Sequence, residues 1–146
     1  LELFLTWNGI RFYNDSAATI PQATVEAVRA VPGPVVLITG GTDKNIDFSP
    51  LAEVVQVPSA IVLLKGTGTE KIRSLLSAAR VSADGPFDNL RDAVAKAMSR
   101  AGDLAEGVSV LFSPGCTSFG MFLNEFDRGR KFKETAAALT SAGSSP

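Results

Sequence analysis

The chain has 146 residues, 45% of them hydrophobic and 20% charged, a length that suits one domain and a balance that excludes wholesale disorder and a collagen-like chain. Fourteen basic residues against fifteen acidic ones give a formal net charge of -1, which recruits neither nucleic acid nor an anionic membrane surface. With no histidine, His-based triads, His metal sites and His general bases are excluded, and the single cysteine, Cys116, cannot close an internal disulfide, which fits a reducing cytoplasm.

The opening residues alternate as a strand with Leu1, Leu3 and Leu5 on one face, and Asn8-Gly9 is a strong hairpin signal. Ile10-Arg11-Phe12-Tyr13 returns as the second strand, so the chain reads as a domain excised from a longer protein. Pro21 suits the first turn of a helix, and Thr24, Ala27, Val28 and Val31 form its apolar stripe. Pro32-Gly33-Pro34 stops that helix, and Val35-Val36-Leu37-Ile38 reads as a strand covered on both faces. A short helix over Ser49 to Val55 is expected next, then a buried strand at Ala60–Leu64 and a helix from about Glu70 to Ala79. A further helix spans about Asn89 to Arg100, with Leu90, Ala93, Val94 and Ala97 inward, and Val108–Phe112 is a third buried strand. Phe119, Phe122 and Phe126 recur at helical spacing as core residues of a last helix reaching about Leu139, and residues 141–146 form a small, polar, frayed tail. No apolar run approaches the roughly 20 residues of a membrane span. Strands alternating with helices predict an α/β fold, a mostly parallel sheet with helices on both faces and an N-terminal β-hairpin at one edge.

In such sheets ligands collect at the carboxyl ends of the strands, where Asn14 to Thr19, Gly40 to Lys44 and Ser113 to Ser118 form three loops. Gly40-Gly41-Thr42-Asp43-Lys44 combines a tight backbone turn with a mobile cation; it lacks P-loop spacing and equally fits an ordinary βα turn with a surface lysine. Asp15 offers an acceptor to ribose hydroxyls or a ligand amine, or to the N–H groups of the next helix. Thr117 and Ser118 are neutral donors suited to an anion. Cys116 has no histidine base and reads as a small, partly buried residue. Gly66-Thr67-Gly68 lacks the third glycine of a dinucleotide fingerprint and reads as a helix start capped near Thr67 or Thr69.

Together these segments resemble a known family. Asn14-Asp15-Ser16-Ala17-Ala18-Thr19, then Leu37-Ile38-Thr39-Gly40-Gly41-Thr42-Asp43-Lys44, Asp47-Phe48-Ser49-Pro50-Leu51 and Ser113-Pro114-Gly115-Cys116-Thr117-Ser118-Phe119, with Phe122 and Arg128-Gly129 following, resemble the C-terminal domain of the Mur ligases. The resemblance covers nearly the whole chain and points to the member that adds D-glutamate to UDP-N-acetylmuramoyl-L-alanine in peptidoglycan precursor synthesis. It implies a Rossmann-like domain over residues 1–140, with the UDP-sugar domain and the central ATPase domain outside this chain. It further implies that ATP phosphorylates the UDP-sugar substrate's carboxylate and that the amine of D-glutamate attacks the acyl phosphate. On this resemblance Lys44 and Thr19 hold carboxylate oxygens of the glutamate. Ser118 and the backbone N–H at Phe119 hold its side-chain carboxylate, and Asp15 meets the ribose side of the nucleotide. Mg²⁺ and the phosphates of ATP fall mainly to the central domain. The family's motif carries a lysine where this chain has Ala17 and an asparagine where it has Ile20, so one cation is missing. A related ligase for another amino acid, such as L-glutamate, and a freestanding non-catalytic binding module are the alternative readings.

Overall fold

The computed structural model describes residues 1–104, 106–118 and 120–143. Strands β1 (Glu2–Trp7) and β2 (Ile10–Asn14) form the expected antiparallel hairpin, with Asn8 and Gly9 both at positive φ in the turn. Helix α1 (Pro21–Ala30) starts on its proline and leads to β3 (Val35–Thr39), a short 3-10 helix (Ser49–Glu53) and β4 (Ala60–Leu64). Then come α2 (Thr67–Ala78), β5 (Asp84–Phe87), α3 (Leu90–Gly102), β6 (Ser109–Phe112) and α4 (Glu125–Gly143).

The six strands lie in the order β1-β2-β6-β3-β4-β5, and every pair except β1·β2 is parallel. The hairpin is therefore an edge, as the sequence predicts. Side chains of β3 alternate across the sheet. Val36 and Ile38 pack with α3 and α4, whereas Val35 and Leu37 pack with α1, the 3-10 helix and α2. Two apolar cores thus sandwich one sheet, which explains why its central strands are aliphatic throughout.

Four local expectations change. A bulge between Leu3 and Leu5 breaks the simple alternation of β1, so Leu1 and Leu3 are exposed while Phe4 and Leu5 pack on the core. β5 was hidden because Asp84-Gly85-Pro86 has turn composition; Pro is tolerated there because the strand is an edge. Helix α2 begins at Thr67 rather than Glu70, with Gly66 as its cap residue and no side-chain cap. Helix α4 begins only at Glu125, so Phe122 precedes it, and Phe126 is 77% exposed rather than core; Phe119 lies outside the described residues. The inward face of α4 is instead the i, i+4 stripe Arg128, Phe132, Ala136 and Thr140, with Phe132 stacked on Phe112 at 4.5 Å. No helix among the described residues is long and apolar enough to cross a membrane.

Candidate functional site

Because β2 to β5 run parallel, the loops after β2, β6 and β3 emerge side by side at one edge of the sheet. Their backbones are stitched together. Thr42 and Thr117 exchange N–H···O=C bonds at 3.2 and 3.1 Å, joining the β3 and β6 loops, and the Thr117 hydroxyl also donates to the Thr42 carbonyl at 3.1 Å. Gly115 N–H donates to the Ala18 carbonyl at 2.9 Å, joining the β6 and β2 loops. The glycines permit this crowding: a Cβ on Gly66 would run into the Gly41 carbonyl, and one on Gly129 would lie 3.0 Å from the Asn14 amide nitrogen and 3.2 Å from Ser16 Cβ.

Thr19, Lys44 and Ser118 line one cleft of about 470 Å³, with Ile20, Asn124 and Glu125 among its other walls. Lys44 is exposed, but Ser118 is only 7% exposed, so its loop does not face solvent as the loop composition suggests. Beside Lys44, Asp43 is held below the usual carboxylate range, first by its hydrogen bond from Lys71 at 2.6 Å and also by the Ile46 N–H. That engagement gives the neighbouring carboxylate a cation of its own on α2.

Asp15 faces a separate cleft of about 370 Å³, together with Ser16, Ala17, Glu125, Phe126 and Lys133. The residue is 9% exposed, and its Oδ2 accepts from the Ser113 hydroxyl at 2.8 Å, which binds the ends of β2 and β6 to each other. Helix α1 has no side-chain cap, so Asp15 does not serve its N–H groups. A third cleft, about 310 Å³, lies between Gly40–Thr42, the start of α2 and Phe122, and shares Thr117 and Ser118 with the Lys44 cleft. Thr67 and Thr69 act here as acceptors for loop N–H groups, taking bonds from Asp43 at 3.0 Å and Gly41 at 3.1 Å.

Cys116 is fully buried, and burial pushes its thiol up to about 12, so it offers no thiolate at neutral pH. Sequence reasoning gave Arg128 no role. It is 1% exposed and reaches from α4 into the seam between the β2 and β6 loops. A charged residue in the Phe132, Ala136, Thr140 stripe was the available signal. Among the described residues, no group of three or more His, Cys, Asp or Glu side chains gathers to hold a metal ion.

No protein-family model matches the chain. A curated relative from Treponema pallidum, named UDP-N-acetylmuramoylalanine--D-glutamate ligase, is 47% identical over 133 residues, covering 91% of this chain and 24% of the relative. One of the same name from Roseiflexus sp. is 45% identical over 143 residues, covering 96% of this chain and 30% of the relative. The chain thus spans less than a third of the length of these relatives. Among solved structures, UDP-N-acetylmuramate-alanine ligase MurC from Thermotoga maritima shares the fold, with a TM-score of 0.53 and 16% identity, over 89% of this chain and 27% of that one. Over nearly its whole length the chain is thus similar to a C-terminal part of the Mur ligases, whose fold it shares. Within that family its similarity is to the C-terminal part of the D-glutamate ligases.

Proposed function

We propose that this chain is the amino-acid-binding domain of an ATP-dependent ligase that joins D-glutamate to UDP-N-acetylmuramoyl-L-alanine. One observation carries the reading: Thr19, Lys44 and Ser118, from loops far apart in sequence, line a single cleft. A dicarboxylate needs donors at both ends and an amine left free to attack. Lys44 is the only cation within the three loop segments, and the two hydroxyls add neutral donors. In the reaction, the γ-phosphoryl group of ATP passes to the UDP-sugar substrate's carboxylate. The glutamate amine nitrogen then bonds to the acyl carbon, the acyl–phosphate C–O bond breaks, phosphate departs, and the amine loses its proton. This domain's part is to hold and orient the nucleophile. Asp15, on its own cleft, faces the nucleotide's ribose; Mg²⁺ and the phosphates belong to the portion of the ligase outside this chain. The reading places the enzyme in the cytoplasm. A freestanding binding module is disfavoured because both relatives carry a similar stretch as less than a third of a longer ligase.

The test is steady-state kinetics on the ligase that carries this domain. A charge-assisted hydrogen bond contributes about 1.5–3 kcal/mol against about 0.5–1.5 for a neutral one, so Lys44→Ala is expected to lower kcat/KM for D-glutamate roughly ten- to a few hundred-fold. Ser118→Ala should cost less. A folded Lys44→Ala enzyme with unchanged glutamate kinetics would remove the cleft from the reading.

A further inference from the structure

We propose that Arg128 is a positioning residue for the amino-acid substrate, clamping the β2 loop to the β6 loop and so setting the spacing of Thr19 and Ser118 across their cleft; this rests on the glutamate reading above. The guanidinium uses three directions at once. Nε donates to the Ser16 hydroxyl at 2.9 Å, Nη2 to the Ser16 carbonyl at 2.6 Å, and Nη1 to the Cys116 carbonyl at 2.9 Å. Ser16 lies between Asp15 and Thr19, and Cys116 lies two residues before Ser118. The Ser16 hydroxyl in turn donates to the Glu125 carbonyl at 2.7 Å, locking the first turn of α4 into the same joint.

Without Arg128 the two loops are tied at their bases, by the Asp15 N–H to the Phe112 carbonyl and the Ser113 hydroxyl to Asp15, both at 2.8 Å, and at Gly115–Ala18. Arg128 adds the direct bridge between Ser16 and Cys116, beside the residues that line the cleft. Arg128 lines the adjoining cleft of about 310 Å³ rather than the Thr19–Lys44–Ser118 cleft. All three guanidinium nitrogens are committed to Ser16 and Cys116, so its effect on the Lys44 cleft runs through the loops.

The physical case is that the charge is costly and stability alone does not call for it. Arg128 has no carboxylate within ion-pair distance among the described residues. Burial pulls its pKa down to about 10, which leaves it protonated at neutral pH. A well-packed apolar side chain in this stripe would avoid that desolvation. Only a planar fork of donors reaches a hydroxyl and two carbonyls on separate loops; an ammonium is a point charge without that geometry.

The test uses the ligase that carries this domain, with KM and kcat for D-glutamate measured alongside the thermal midpoint. Displacements of about an ångström are worth up to roughly a hundred-fold, so Arg128→Met is expected to raise KM for D-glutamate roughly ten- to a hundred-fold with kcat changed far less. Arg128→Lys should fall between the two, recovering some acceptors but not the two-pronged hold on Ser16. A purely structural residue would lower the midpoint and the yield of active enzyme, hence apparent kcat, and leave KM alone. Should Arg128→Met fail to fold, Ser16→Ala removes the Nε acceptor together with the hydroxyl's bond to the Glu125 carbonyl and is expected to raise the same KM about threefold. Unchanged KM in a folded Arg128→Met, or in Ser16→Ala where that variant stands in, overturns the clamp. Lys44→Ala in the same series separates the two ideas: its raised KM beside an unaffected Arg128→Met sinks the clamp alone, whereas an unaffected Lys44→Ala sinks the glutamate reading.

Discussion

Asp15 and Lys44 come from the loops on either side of the β6 loop and face different clefts. Asp15 is an acceptor with one oxygen already engaged by Ser113, a geometry suited to sugar hydroxyls and unsuited to an anionic amino acid. Asp15→Ala in the full ligase is therefore expected to raise KM for ATP more than KM for D-glutamate. Initial-rate kinetics with each substrate varied in turn will show this, and the opposite order would reassign the residue. The candidate residues were legible because their types are few in the strand-end loops: one cation, one aspartate at the end of β2, and a run of small hydroxyl residues after β6. Their surroundings were not legible. Ser118 stands in a loop of small residues, yet it is almost covered, because its exposure depends on segments distant in sequence. Arg128 stood out only as part of the Arg128-Gly129 motif, and its role stayed illegible for the same reason, since its three acceptors lie on other elements.

At the scale of the element, the aliphatic strands and the helices with a clear start, Pro21 for α1 and Asn89 for α3, were the readable ones. Asn89 accepts from the Asp92 N–H at 2.8 Å at the start of α3, where the sequence places the helix. The unreadable elements had composition at odds with their state. β5 carries Asp-Gly-Pro, and an aromatic triplet at helical spacing precedes and overlaps the true start of α4. At that start the Asn124 Oδ1 accepts the Asp127 N–H at 2.8 Å, while the Asp127 carboxyl is held low first by the Leu123 N–H and then by Lys131 and Arg130. β5 is fastened to α3 by Arg100, which donates Nε and Nη2 to the two Asp84 oxygens at 2.8 and 2.9 Å. That hydrogen bonding holds the Asp84 carboxyl below its ordinary value. A carboxyl with a depressed folded-state pKa stabilises the fold above its unfolded value, and the contribution disappears as pH falls through the folded one. Arg100 is nearly half exposed, so solvent screening keeps the pair's contribution small. Asp84→Asn should lower the thermal midpoint by about 2–4 °C at pH 7, and the gap to the parent should close as pH drops below about 4. Melting curves across that range test it; a gap that stays constant into acid would show that the charge is not what matters.

The whole molecule is one sheet between two apolar cores, with its polar machinery confined to one edge. It contains no glycine-rich Lys-Ser/Thr phosphate cradle. The domain by itself is expected to release no phosphate from ATP above a heat-treated control and to form no amide, because phosphoryl transfer depends on that missing charge stabilisation. A purified domain that hydrolysed ATP would contradict the division of labour proposed here.

β6, the last strand in the chain, lies in the middle of the sheet, between β2 and β3. During synthesis the ribosome therefore releases two unfinished halves, the β1-β2 hairpin and the β3-β4-β5 unit, each with a bare strand edge facing where β6 will go. Neither half can be closed until residue 112 has emerged, and exposed edges of this kind invite pairing with other chains. Nascent chains stalled before β6 therefore expose both edges, and the Thr19–Lys44–Ser118 cleft, which needs the Ser118 loop, cannot assemble until β6 has been made.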